Sequence, residues 1–160
     1  MWKSILYVLF MAGLNSAWAG PFDPIVSKAW VGESIPGQST ATLQLNLTTI
    51  KPVTLVSVSS PFAESVEIHN LTKVRGALKP QIVHSLPLPD HRTIAFGSQG
   101  LFLMMTGIKQ PLKMGDRVPI NLSFKFTDKQ IRIISAEAEV KKMELSYKHY
   151  GPKEVYDHRQ

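Results

Sequence analysis

No cysteine occurs anywhere in the 160 residues, which excludes disulfide bridges, thiolate metal sites and cysteine nucleophiles. Any metal chemistry must therefore come from imidazole, thioether or carboxylate groups. The signatures of common enzyme classes are missing as well. There is no Gly-x-Ser-x-Gly elbow, no phosphate-cradling glycine loop and no His-Glu-x-x-His pair, so no catalytic activity is expected. Dense basic patches are absent too. The chain carries a formal charge of +6, but Lys141-Lys142 is the only adjacent basic pair. Scattered charge of this kind describes a solvated surface rather than a nucleic-acid footprint. The longest apolar run, Ile5 to Leu14, falls well short of the ~20 residues that a membrane-spanning helix needs.

That short run is informative in its own right. Lys3 precedes it and Ala17-Trp18-Ala19 follows, the order of positive start, apolar core and small-x-small cleavage site found in export signals. Residues 1–19 are expected to be a signal peptide cleaved after Ala19, leaving a periplasmic protein with no membrane span. No cysteine follows the cleavage point, so no lipid anchor is expected. Residues 20–140 have a length suited to one domain with one core. Residues 141–160 are charged, carry His149 and His158, and are expected to form a loose tail.

Within the domain the apolar pattern has the period of strands. Thr42 to Leu47 and Ile120 to Phe126 alternate strictly, which predicts half-buried strands with Leu43, Leu45, Leu47, Ile120, Leu122 and Phe124 in the core. Ile25 to Val31, Val53 to Ser59, Ser65 to Asn70, Thr93 to Phe96 and Gln130 onward read as further strands. Leu71 to Pro80 reads as a loop or hairpin end, Ile82 to His84 as a short strand, and Pro87, Pro89 and Asp90 as punctuation. Between Ser135 and Tyr147 helix and strand periods compete, and the strand is expected to continue to about Val140. The sum is an all-β fold, an antiparallel sandwich or barrel.

The most distinctive stretch is Leu101-Phe102-Leu103-Met104-Met105-Thr106 followed by Gly107-Ile108-Lys109-Gln110-Pro111-Leu112 and Gly115-Asp116-Arg117-Val118-Pro119. Alternation places Phe102, Met104 and Thr106 on one face and Leu101, Leu103 and Met105 on the other, with Gly107 expected to end the strand. Together with Ala29-Trp30-Val31, Val58-Ser59-Ser60-Pro61 and Val66-Glu67-Ile68-His69, this stretch resembles the periplasmic copper chaperones of the PCu(A)C family. The resemblance runs over nearly the whole mature domain. It implies a cupredoxin-like β-sandwich, Cu(I) as cargo, and partners such as a copper-accepting oxidase subunit or another copper chaperone.

The family's copper motif is a histidine, a methionine after ten intervening residues, a histidine after twenty-one more, and a methionine two places on. Stepping from His69, that spacing lands on Pro80, Phe102 and Met104 without a gap. Imidazole and thioether suit Cu(I), and the resemblance implies His69 and Met104 as metal ligands. Proline and phenylalanine cannot ligate. Three readings stay open. The two retained ligands bind Cu(I), with help from Met105, His84 or His91; the tail histidines His149 and His158 complete a site; or copper binding is lost and the scaffold is a non-metal binding or adaptor module.

Overall fold

A computed structural model describes residues 20, 22–97 and 100–142. The expected signal peptide and all but the first two residues of the expected tail lie outside the described residues. Ten strands follow one another: β1 (Ile25–Gly32), β2 (Thr40–Thr49), β3 (Val53–Ser59), β4 (Ala63–Val74), β5 (Ala77–Ile82), β6 (Leu86–Leu88), β7 (Arg92–Phe96), β8 (Leu101–Ile108), β9 (Arg117–Lys125) and β10 (Ile131–Lys141). No helix is present among the described residues.

The order β4-β8-β2-β1-β10-β9-β3 closes on itself through a β3–β4 contact at Val58↔Val66, giving a seven-stranded barrel. All pairings are antiparallel except β1 with β10. The all-β, barrel-like fold expected from the alternation is the one observed. Leu43, Leu45 and Leu47 from β2 meet Ile120, Leu122 and Phe124 from β9 inside it, all at most 1% exposed. Leu103 and Met105 from β8 complete this core at 0%. Burial of side chains this large supplies most of the driving force for folding.

Three expectations are corrected, and one open choice is resolved. Leu71 to Pro80, read as a loop or hairpin end, is a hairpin: β4 runs on to Val74 and turns at Arg75-Gly76 into β5. Both turn residues have positive φ, 50° and 85°, as a tight hairpin with right-handed strand twist requires. This hairpin arm overhangs the barrel. Every residue of β5 is exposed, so the arm shows no apolar alternation to read. Pro80 is tolerated because β5 is the edge of the sheet.

Ile82 ends β5, and His84 sits in a bend rather than a strand. Pro87 lies inside β6, another edge strand, opposite Thr54. Gly107 does not end β8, which continues to Ile108. Its φ is +66°, and a Cβ there would run into the side chain of Glu64. Glycine therefore lets the ladder with β4 continue under that side chain. The last strand persists to Lys141, one residue beyond the expected boundary.

Candidate metal site

The ladders β5-β4-β8 place all four motif positions on one face of the sheet, outside the barrel core. His69 pairs directly with Phe102 on one side and Ile82 on the other. Two residues along, Glu67 pairs with Met104; two the other way, Leu71 pairs with Pro80. Side chains two apart on a strand share a face, so the surface reads as rows: Met104 beside Glu67, then Phe102, His69 and Ile82, then Leu71 and Pro80. Met104 continues its row to Thr42 of β2. Ile68, between Glu67 and His69, points the opposite way into the core at 4% exposure.

His69 is not an ordinary surface histidine. Its side chain is only 12% exposed. The Phe102 ring stacks on it, with centroids 5.3 Å apart and planes inclined by 12°. Nε2 lies 2.9 Å from Oε2 of Glu67. A carboxylate only accepts, so the ring nitrogen donates and Glu67 fixes both tautomer and orientation. Nδ1 is buried and has no hydrogen-bond partner. An orphaned buried nitrogen is costly unless something fills it. Phe102 thus acts as the clamp on the imidazole plane. Glu67 was not singled out in the sequence, although Glu67-Ile68-His69 is the two-residue spacing that puts two polar groups on one strand face.

His69 and Met104 are brought together as diagonal neighbours across the β4–β8 ladder. In antiparallel sheets such pairs stand roughly 7–8 Å apart at the backbone, within reach of long side chains. Met105 is excluded, since it points into the core at 0% exposure. His91 is excluded too. It stands before β7, whose first residue pairs with Thr49 at the far end of β2 from Thr42, and its ring lies 3.3 Å from Asp90. His149 and His158 lie outside the described residues. Among the described residues no three histidine, aspartate or glutamate side chains stand close enough to hold a metal ion as arranged.

Residues 25–131 match the family described as "Putative lipoprotein LpqE-like". The chain belongs to the LpqE-like family. A putative lipoprotein, Lxx21020 of Leifsonia xyli subsp. xyli, is 29% identical over 100 residues, covering 62% of this chain and 60% of that protein. The chain thus spans only about three-fifths of the length of this curated relative.

Solved structures with the same fold are PCuAC domains, as the sequence resemblance implied. The copper-bound PCuAC domain from PmoF2 superposes with a TM-score of 0.60 at 16% identity, over 75% of this chain and 93% of that one. The Cu(I) solution structure of DR1885 from Deinococcus radiodurans gives a TM-score of 0.57 at 28% identity, over 80% and 83%. Its apo form matches at 26% identity and a TM-score of 0.57, over 90% and 95%.

Proposed function

We propose that this protein is an exported copper-chaperone-like protein that carries Cu(I) on His69 and Met104. The single observation that carries the reading is the His69 imidazole. It is sheathed by Phe102, tethered through Nε2 to Glu67 and left with an unpartnered Nδ1, on a residue whose diagonal neighbour in the ladder is Met104. One imidazole and one thioether form a neutral, soft donor pair that suits Cu(I) and serves Cu(II) poorly. The likeness to Cu(I)-bound DR1885 supports the same cargo. The carboxylate of Glu67 acts as the outer partner that orients the ligating ring. Copper reaches Nδ1 only when Phe102 or the imidazole swings aside, because that atom is buried.

Two ligands hold the ion less firmly than four, which favours release. The acceptor in this reading is a copper-binding oxidase subunit or another copper chaperone. The export signal of residues 1–19 and a periplasmic location belong to the same proposal, supported by the putative-lipoprotein character of the relatives. Phe102 and Pro80 at two motif positions favour one alternative, an adaptor on the same scaffold that binds no metal.

Titration with Cu(I) under reducing conditions against a competing chelator separates the two. One equivalent bound, lost in His69→Ala and retained when His149 and His158 are replaced by alanine, supports the chaperone reading. No binding by the folded protein supports the adaptor. Loss of binding only on replacing His149 and His158 moves the site to the C-terminal segment.

A further inference from the structure

Three of the chain's scattered cations are gathered by the fold. The ladder of β4 with β8 ends at Asn70↔Leu101, with one further bond from the Leu71 N–H to the Gly100 carbonyl. From Thr72 to Val74 the only partner of β4 among the described residues is β5, so a two-stranded ribbon stands ~10 Å clear of β8. Lys73, Arg75 and Lys79 sit on this ribbon, all exposed. None of the three forms an ion pair with another described residue. No carboxylate occurs between Glu67 and Asp90, and Glu67 lies ~20 Å back along β4 from Lys73. The tip of the arm is a finger of uncompensated positive charge.

Exposed apolar groups stand beside that charge. Residues directly opposite in a ladder share a face, so Leu71 with Pro80 and Lys73 with Leu78 lie on one face. Ile82 joins the same face at the barrel end. Leu78 is 68% exposed, Ile82 50% and Leu71 37%. Contiguous exposed apolar surface marks a contact site. Leu78, nearest the tip, is bracketed by Lys73 across the ladder, Lys79 next in sequence and Arg75 in the turn. A further strand fits the free edge poorly, because Pro80 has no N–H to offer and Lys79 is charged. A projecting ribbon forms no groove either, whereas a bilayer receives a protruding tip without a matching pocket. Interfacial binding grows with buried apolar area and with attraction to anionic lipid, and long basic side chains reach back to the headgroups while their stems stay apolar.

We propose that the β4–β5 arm is a membrane-docking finger, which binds an anionic phospholipid bilayer through Lys73, Arg75 and Lys79 and sets Leu78 at the acyl boundary. Each lysine or arginine at such a surface strengthens binding about fivefold, so the three together supply about 100-fold. Leu78 shares its face with His69, and docking therefore turns the motif face toward the bilayer. The inference needs no copper and stands apart from the chaperone reading.

The test is co-sedimentation of the purified protein with vesicles of equal parts phosphatidylglycerol and phosphatidylcholine, against vesicles of phosphatidylcholine alone. Binding should require the anionic lipid and weaken as salt is raised. Replacing Lys73, Arg75 and Lys79 together by glutamine should reduce it about 100-fold, and Leu78→Ser about tenfold. The same change at Lys109, Lys113 and Arg117, exposed positions that follow the other end of β8, should leave it unaltered. Both triple variants should unfold at the wild-type temperature, so that lost binding is not lost folding. Because the chain has no cysteine, Leu78→Cys carries a single polarity-sensitive dye, whose emission should shift to the blue on the anionic vesicles only. Equal binding to both vesicles, binding that survives the arm replacements, or a dye that does not respond overturns the proposal. No binding to the anionic vesicles also overturns it, and leaves the apolar face of the arm to a protein partner.

Discussion

Restoring a histidine at position 102 should trade apo stability for copper affinity, and the two effects have opposite signs in one assay. Phe102 stacks on His69 at 5.3 Å with nearly parallel planes, and such aromatic pairs are worth about 0.5–1.5 kcal/mol beyond area burial. Phe102→His keeps a ring but gives up apolar contact, so a net loss of roughly 1 kcal/mol is expected in the apo protein. For a domain of this size that lowers Tm by about 3–6 °C. The new imidazole stands directly opposite His69 in the ladder, at a Cβ separation of ~4.5–5.5 Å, so both rings reach one ion. A tenfold gain in Cu(I) affinity adds about 1.4 kcal/mol of ligand-linked stability at fixed saturating copper.

Thermal unfolding under reducing conditions, with and without Cu(I), reads both terms. The variant should melt below wild type without copper, and its copper-induced rise in Tm should be the larger by about 4–8 °C. A copper-induced rise no larger than that of wild type would refute the geometry, because the fold would then not present these two positions to a common ion.

Three further outcomes are expected. Glu67→Gln frees the His69 ring from its anionic tether and should weaken Cu(I) binding by about 10–100-fold, measured by chelator competition, with little change in urea unfolding. Met104 and Met105 should separate cleanly. Met104→Leu removes Cu(I) binding, while Met105→Leu, at a fully buried core position, costs under about 1.5 kcal/mol and leaves copper binding intact. Gly107→Ala, at φ +66° beneath Glu64, should destabilise by roughly 1–2 kcal/mol, and by less on a Glu64→Ala background, where the steric part is relieved.

The barrel staves were legible because one face of each is buried. Leu43, Leu45 and Leu47 alternate with polar residues, and so do Ile120, Leu122 and Phe124; both series reach the core. The overhanging β4–β5 arm was not, since an exposed hairpin writes no hydrophobic period and hides its register in Arg75-Gly76. Gly107 misled for a related reason: a glycine inside a strand reads as a stop, and only Glu64 on the neighbouring strand explains it. Motif spacing placed His69 and Met104, and the ladder shows that their positions share one face with Pro80 and Phe102. What spacing could not supply was the Phe102 clamp, which depends on the register of β4 against β8, or the Glu67 tether, which depends on how two side chains of β4 turn toward each other.

The central claim, that one imidazole and one thioether carry the copper, is tested most directly by X-ray absorption at the copper edge on the Cu(I)-loaded protein. The account predicts a low-coordinate shell with one nitrogen and one sulfur scatterer, the sulfur disappearing in Met104→Leu and the nitrogen in His69→Ala. A shell of nitrogen and oxygen alone, or a sulfur that persists in Met104→Leu, would contradict it.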